Sequence, residues 1–292
     1  MTISVIYARR QKAQHCYIAT LEPSTTMTQS NLGTALITGA SSGIGALYAD
    51  RLASRGYDLI LVARNRERLN PLAADITSRH GRAVEVFPAD LNNPVALRSV
   101  ENKLKQDASI TLLVNNAGIG THTSLLESDV DQMVRMIDLN VTALTRLSYA
   151  AVPGFVARGN GALINIASIA ALSPETLNGV YCGSKAFVLA FSQSLQHELA
   201  GNGVRVQAVL PGATATEFWA RGGLPVEHLP AQIVMRAEDM VDAALQGFER
   251  GESVTLPALH DGALWDAYEG ARKAMASHLS SNEAASRYQP LR

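Results

Sequence analysis

The sequence predicts an α/β fold, a doubly wound parallel sheet of about seven strands with helices on both faces. Two observations carry this. From residue 34 onward, short apolar runs alternate with longer segments of helical periodicity, the order in which strand–helix units build a parallel sheet. The runs are also nearly continuous in Leu, Ile, Val and Ala, as expected of strands covered on both faces.

The strand runs are 34–38, 59–63, 83–87, 111–115, 162–167 and 204–210. Between them, 43–55, 66–79, 94–106, 130–156 and 180–200 read as helices, so each crossover should be right-handed. Gly201 and Gly203 fall where a left-handed cap is expected to end the fifth helix. Residues 211–230 mix Gly, Pro and Thr with Phe218 and Trp219, the pattern of a loop with a short helix. Helices over 237–249 and 263–279, with a last strand at 253–256 between them, complete the expected domain over residues 31–282. Residues 283–292 are expected to be a C-terminal tail.

Composition narrows the function classes. The chain has 292 residues, 47% hydrophobic and 17% charged, with a net charge of −1. That describes an ordinary globular protein and lacks the positive excess of a nucleic-acid binder. Cys16 and Cys182 make no disulfide framework, which suits a reducing compartment. No run reaches the roughly 20 apolar residues of a membrane helix, so no membrane association is expected and the expected location is cytoplasmic. Residues 1–30 carry Arg9, Arg10 and Lys12 against the single acid Glu22. They read as an extension, either disordered or preceding a native start at Met27. A transit peptide is the other reading of a basic, acid-poor opening.

The first run leads into Thr38-Gly39-Ala40-Ser41-Ser42-Gly43-Ile44-Gly45 and then a helix. A chain that turns tightly to meet a pyrophosphate excludes Cβ atoms, and a helix N-terminus offers free N–H groups to the anion. A tight strand-to-helix connection alone would also account for the glycines. The tip of the second strand bears on the cofactor. NAD sites usually place an acid there for the ribose 2′-hydroxyl, whereas this chain has Arg64-Asn65-Arg66, with Asp58 at the opposite end of the strand. Positive charge at a helix start opposes the dipole but suits a 2′-phosphate, which a guanidinium grips with two hydrogen bonds. NADP(H) is therefore the expected cofactor, with Arg64 its phosphate ligand. A solvated arginine is the bland alternative.

A proton-transfer set follows. Ser168 succeeds the fifth strand, and Tyr181 and Lys185 stand four apart in Tyr181-Cys182-Gly183-Ser184-Lys185, a spacing that shares one helix face. A cation beside a phenol favours the phenolate and is expected to lower its pKa from about 10. Tyr181 then serves as general acid or base, and Ser168 holds a carbonyl oxygen for hydride attack. Taken singly, a Tyr/Lys pair is ordinary helix surface and a serine after a strand is an ordinary turn residue.

From about residue 34 to 216 the chain closely resembles the short-chain dehydrogenase/reductase family, in its NADP-preferring branch with the Thr-Gly-xxx-Gly-x-Gly loop. The matching residues are that loop, Asn115-Asn116-Ala117-Gly118, Asn140 within 138–141, Ser168, Tyr181, Lys185 and Pro211-Gly212. The resemblance implies a single-domain Rossmann-type fold and an enzyme acting on CH–OH/C=O groups, with no metal. It implies that Asn140 holds a water linking Lys185 to solvent and that Lys185 also binds the nicotinamide ribose. It places Asp90 at the adenine and Asn116 along the cofactor. Gly39, Ser41, Ser42, Gly43, Ile44, Gly45, Pro211, Gly212, Thr214 and Thr216 join them as cofactor contacts. The Pro-Gly loop departs from the pattern in having Thr214 where an aliphatic residue is common. Structural readings stand beside these: Asp90 as a strand terminator, Asn116 as a brace of the sheet, and Asn140 as a buried amide satisfied by neighbouring backbone.

The expected substrate is a small-molecule carbonyl compound or alcohol, chosen in the irregular region around Phe218, Trp219 and Leu224. Phe218 and Trp219 read either as the lining of an apolar pocket or as ordinary packing under a mobile lid. His122, Leu125 and Leu126 follow the fourth strand and border the pocket, with His122 read as a surface loop residue rather than a catalyst. The two central helices carry apolar residues on more than one side, Val134, Ile137, Val141 and Leu144 in one and Phe187, Leu189, Phe191 and Leu195 in the other. One side should meet the sheet and the other a second subunit, giving a homodimer or homotetramer. Two rival readings belong to other classes: a catalytically silent NADP-binding regulator, and a site for another nucleotide-containing ligand such as a methyl donor. Neither gives Ser168, Tyr181 and Lys185 a task.

Overall fold

In the computed structural model, residues 32–288 are described. The expectations for residues 1–30 and for the last four positions of the tail lie outside the described residues. Six apolar runs and a short seventh become β1 (Thr34–Thr38), β2 (Asp58–Ala63), β3 (Val84–Pro88), β4 (Ile110–Asn115), β5 (Gly161–Ile166), β6 (Val204–Val209) and β7 (Val254–Thr255). They pair in the order β3-β2-β1-β4-β5-β6-β7, and every pairing is parallel. The doubly wound parallel sheet expected from the sequence is the fold observed.

Alternate residues along each strand supply the two faces. Ile37, Leu61, Val114 and Ile164 point to one face, where α1 (Gly43–Ser54), α2 (Arg66–His80) and α8 (Ala237–Glu249) pack through Tyr48, Leu52, Leu69, Ile76, Met240 and Leu245. Leu36, Val62, Leu113 and Leu163 point to the other. There α3 (Pro94–Gln106), α5 (Leu144–Arg158) and α6 (Gly179–Glu198) pack through Leu97, Leu104, Leu147, Phe155 and Leu195. Each fully buried aliphatic side chain stabilises by about 1.5–3 kcal/mol, so the strands are the rigid part and their ends are held by the core.

Local chemistry sets the helix boundaries. Asn65, Asn93 and Asn178 accept hydrogen bonds from the first-turn amides of α2, α3 and α6, satisfying donors that a helix start leaves free. Gly81 (φ +65°) and Gly159 (φ +61°) end α2 and α5 in the left-handed conformation. Gly201 and Gly203 are also left-handed, at φ +84° and +71°, although α6 itself ends at Glu198. The continuous helix expected over 130–156 is interrupted. It runs as α4 (Val130–Ile137), a π-helical turn (Asp138–Ala143) and then α5. The widened turn carries Asn140 inward, the setting in which such insertions commonly serve a site.

Beyond β6 the chain forms α7 (Phe218–Arg221), then α8 and, after β7, α9 (Gly262–Met275). No helix among the described residues is long and apolar enough to cross a membrane. Crossovers leave β1 toward β2 on one side while β4 lies on its other side. This opens a crevice at the carboxyl ends of β1 and β4, where doubly wound sheets bind ligands.

Candidate active site

At the end of β1 the chain turns through Gly39 (φ +66°) and Gly43 (φ +53°), a backbone region hostile to other side chains. Close approach makes a second demand: a Cβ on Gly45 would lie 2.4 Å from the Gly39 oxygen and 2.5 Å from Asn116 Nδ2. Asn116 braces the turn, its Nδ2 donating to the carbonyls of Thr38 (2.9 Å) and Gly39 (3.2 Å). Its structural reading is therefore realised in the fold. Thr38 Oγ1 joins in, accepting from the amides of Asn116 and Ala117, both at 3.0 Å. Ser42 precedes α1 in extended backbone, its side chain makes no capping hydrogen bond, and the first turn holds no acid. The α1 N-terminus is thus left without a side-chain cap, and its dipole favours an anion. Ser41 and Ser42 flank this turn, half-buried, and Ile44 packs down onto the core.

At the tip of β2, Arg64 and Arg66 are exposed and form no ion pair among the described residues. Arg68, a turn along, is committed to Glu217 at 2.8 Å. Asp58 sits at the far end of β2 and pairs with Arg82 at 3.1 Å. Asp90, exposed beyond β3, accepts from the Asn92 amide at 3.0 Å, the contact of a residue that ends a strand.

The residues expected to transfer the proton gather beside this crevice. Tyr181, Lys185, Ser168 and Asn140 are all buried. Asn178 caps α6 and ties it to the loop after β4 through Thr123 O (2.7 Å), fixing the helix turn that bears Tyr181. Lys185 Nζ donates to Ile166 O at 2.8 Å and stands 5.8 Å from the Tyr181 ring centre. Gly118 lies between its neighbours: a Cβ there would be 3.1 Å from Asn140 Oδ1 and 3.6 Å from Lys185 Nζ. Asn140 accepts from Ile119 N (3.0 Å) and donates to Ile119 O (2.9 Å) and Ser184 Oγ (3.1 Å). Its amide is thus satisfied by neighbours, and it locks the loop after β4 to the π-turn. Ser168 Oγ accepts from the Ala170 amide at 3.1 Å.

One expectation is corrected. The Tyr181 phenol is not brought below its ordinary pKa; burial pushes it up to about 12, against a smaller opposing pull from the Ser168 hydroxyl. Burial also brings Lys185 down from 10.5 to about 8. The physical reason is direction: the ammonium is turned to the Ile166 carbonyl rather than held at the phenol oxygen, so desolvation wins. The phenol accordingly carries its proton at neutral pH.

The Pro-Gly loop closes the site. Pro211 O accepts from Ile169 N at 3.0 Å, Thr214 Oγ1 donates to Gly212 O at 3.1 Å, and Thr216 lies against Gly43. A cleft lined by Gly120, Leu177, Tyr181, Phe218, Trp219 and Leu224 follows, with the Phe218 and Tyr181 rings 5.9 Å apart. His122 borders it as a clasp, its Nδ1 3.0 Å from Gly222 O. Leu125 and Leu126 are strongly exposed and do not line it. Sequence reasoning missed a buried polar chain behind the site. Asn115 Nδ2 donates to Asn165 Oδ1 (2.9 Å), and Asn165 Nδ2 to Ser192 Oγ (2.9 Å). The signal was a polar residue inside each of two apolar runs.

Fold and site together define a doubly wound domain with a dinucleotide cradle beside a buried Ser/Tyr/Lys set. The short chain dehydrogenase family model matches residues 33–223, and the chain belongs to that oxidoreductase family. It is 49% identical to a short-chain dehydrogenase from Sphingobium yanoikuyae, solved in complex with NADPH, covering 88% of this chain and 100% of that one at a TM-score of 0.86. A bulky-bulky ketone specific alcohol dehydrogenase from Comamonas testosteroni is 42% identical over 89% of this chain and all of its own, with a TM-score of 0.83. Very-long-chain 3-oxoacyl-CoA reductase of Anas platyrhynchos is 34% identical over 63% of this chain, which spans 60% of that relative's length.

Proposed function

We propose that the protein is an NADP(H)-dependent oxidoreductase interconverting a carbonyl compound and a secondary alcohol, with Tyr181 as general acid/base. The observation that carries this is the burial of Tyr181, Lys185, Ser168 and Asn140 together beside the glycine turn. The residues present fit the cofactor. The glycine turn leaves no room for a Cβ, the α1 start has no side-chain cap, and Arg64 and Arg66 have no ion-pair partner among the described residues. Gly39, Gly43 and Gly45 would hold the pyrophosphate with Ser41, Ser42 and Ile44, and Arg64 the 2′-phosphate. Asp90, Asn116, Pro211, Gly212, Thr214 and Thr216 would border the remainder, Asn116 by bracing the turn. When bound, NADP(H) supplies or accepts the hydride.

The chain's own residues do the rest. Ser168 Oγ orients the carbonyl oxygen. The Tyr181 hydroxyl, protonated at neutral pH, delivers its proton to that oxygen in the reducing direction and takes it back in the other. Lys185, brought down to about 8, is poised to exchange protons near neutrality and to hold the ribose. Asn140 keeps the loop after β4 in place beside it and supports the water route to solvent. Leu177, Phe218, Trp219 and Leu224 give the cleft an apolar, aromatic wall, which suits bulky-bulky ketones, the substrate type named for the Comamonas enzyme. Val134, Ile137 and Phe187 leave apolar surface exposed on α4 and α6, which supports a homodimer or homotetramer. A panel of ketones followed by NADPH absorbance, with NADH in parallel, tests the reading. Turnover of aryl or branched ketones with NADPH is expected, and turnover with NADH alone would overturn the cofactor assignment.

A further inference from the structure

The chain between β6 and α8 does not stay on its own side of the sheet. β6 lies four strands from β2, roughly 19 Å across at about 4.8 Å per strand. Yet Glu217, a short loop beyond Val209, forms an ion pair with Arg68 in the first turn of α2, Nη1 to Oε2 2.8 Å. To reach it the chain passes over the carboxyl ends of β5, β4 and β1. On the way Thr216 comes to rest on the glycine turn, where a Cβ on Gly43 would meet its Cγ2 at 3.2 Å. The crossing segment is pinned at its near end by the Ile169–Pro211 hydrogen bond (3.0 Å). It is stiffened by Trp219 Nε1 donating to Thr214 O (3.0 Å) and by the parallel bridge of Thr214 to Met235. It is therefore a strap lying over the mouth of the dinucleotide cradle, and Arg68–Glu217 is the ion pair that fastens its far side.

The three arginines of the 64–68 stretch are not equivalent. Among the described residues Arg64 and Arg66 have no ion-pair partner, while Arg68 is held by a carboxylate. Glu217 is also bonded to Arg221 on the same strap, a contact that does not cross the crevice. We propose that the Arg68–Glu217 pair is a latch that holds this strap closed over a bound dinucleotide and slows its departure. The inference rests on the NADP(H) reading and assigns Arg68 and Glu217 a positioning role, separate from the phosphate contact given to Arg64. Lifting the strap separates the pair; breaking the pair leaves the cradle, the helix start and the buried Ser/Tyr/Lys set unchanged.

The test is stopped-flow release of NADPH and of NADH from the full chain, read by nicotinamide fluorescence. It uses Arg68→Gln, Glu217→Gln, the double variant, the charge exchange Arg68→Glu with Glu217→Arg, and Arg221→Gln. Both single variants are expected to speed release of both cofactors about two- to fivefold, the scale of a modest exposed ion pair. The double variant should release no faster than the singles, the exchanged pair should restore slow release, and Arg221→Gln should match the parent. Release rates unchanged in the single variants overturn the latch alone. Faster release of NADPH but not NADH in Arg68→Gln, with Glu217→Gln unaffected, also overturns it and makes Arg68 a phosphate ligand. Failure of the parent protein to bind either dinucleotide overturns the cofactor reading and the latch together.

Discussion

Replacing Lys185 by Met changes how stability depends on pH, in a direction the structure decides. Lys185 is buried and its pKa falls from 10.5 to about 8, with desolvation the cause. Between those values the unfolded chain binds a proton that the native state does not, so native stability rises with pH by about 1.36 kcal/mol per unit. Over the whole window this amounts to about 3 kcal/mol. Tyr181 acts with the opposite sign: raised from 10.0 to about 12, it keeps a proton above about pH 10 that the unfolded chain loses, and stability falls there. The clean interval is therefore about pH 8 to 10. Urea unfolding of the parent and of Lys185→Met, followed by tryptophan fluorescence, is expected to show the parent gaining about 2–3 kcal/mol on the variant across that interval. A difference that stays constant with pH would refute the argument, because the buried amine would then titrate as it does in the unfolded chain.

Two further outcomes are expected. Tyr48 is fully buried and its hydroxyl has no hydrogen-bond partner among the described residues, and a buried unsatisfied polar group costs about 1–3 kcal/mol. Tyr48→Phe should therefore raise the urea midpoint, and a lowered midpoint would show that the hydroxyl is hydrogen-bonded in solution. Arg64→Ala should raise KM for NADPH roughly ten- to a hundredfold, the scale of lost charge-assisted hydrogen bonds, while leaving KM for NADH within about twofold. Equal losses with both cofactors would assign Arg64 a structural role.

Most of the fold was legible because its signals are local. Apolar runs buried on both faces have no other use in a chain of this composition, and strand ends fell within about a residue of expectation wherever a turn residue stood next to the run. The last strand shrank to Val254–Thr255, since an edge strand with few partners is set by tertiary pairing rather than by its own pattern. The π-turn was not legible. A helix that gains one residue per turn over Asp138–Ala143 keeps the same apolar composition, and only the inward demand of the Asn140 amide on Ile119 and Ser184 reveals it. The glycine turn and the Ser/Tyr/Lys set were visible as residue types at fixed spacing. The electrostatics were not, because a four-residue spacing places Lys185 on the face of Tyr181 without saying that the Ile166 carbonyl takes the ammonium. Nor could the strap be read, since the Arg68–Glu217 contact joins segments far apart in sequence.

The Tyr181 hydroxyl, as the proposed proton donor and acceptor of the reaction, is tested by Tyr181→Phe, which removes one oxygen atom. Steady-state reduction of a turned-over ketone should fall by about a hundred- to ten-thousandfold, the usual contribution of a positioned acid or base. NADPH binding, read by fluorescence, should be retained. A variant that binds NADPH and reduces the ketone at the parent rate would show that another group moves the proton.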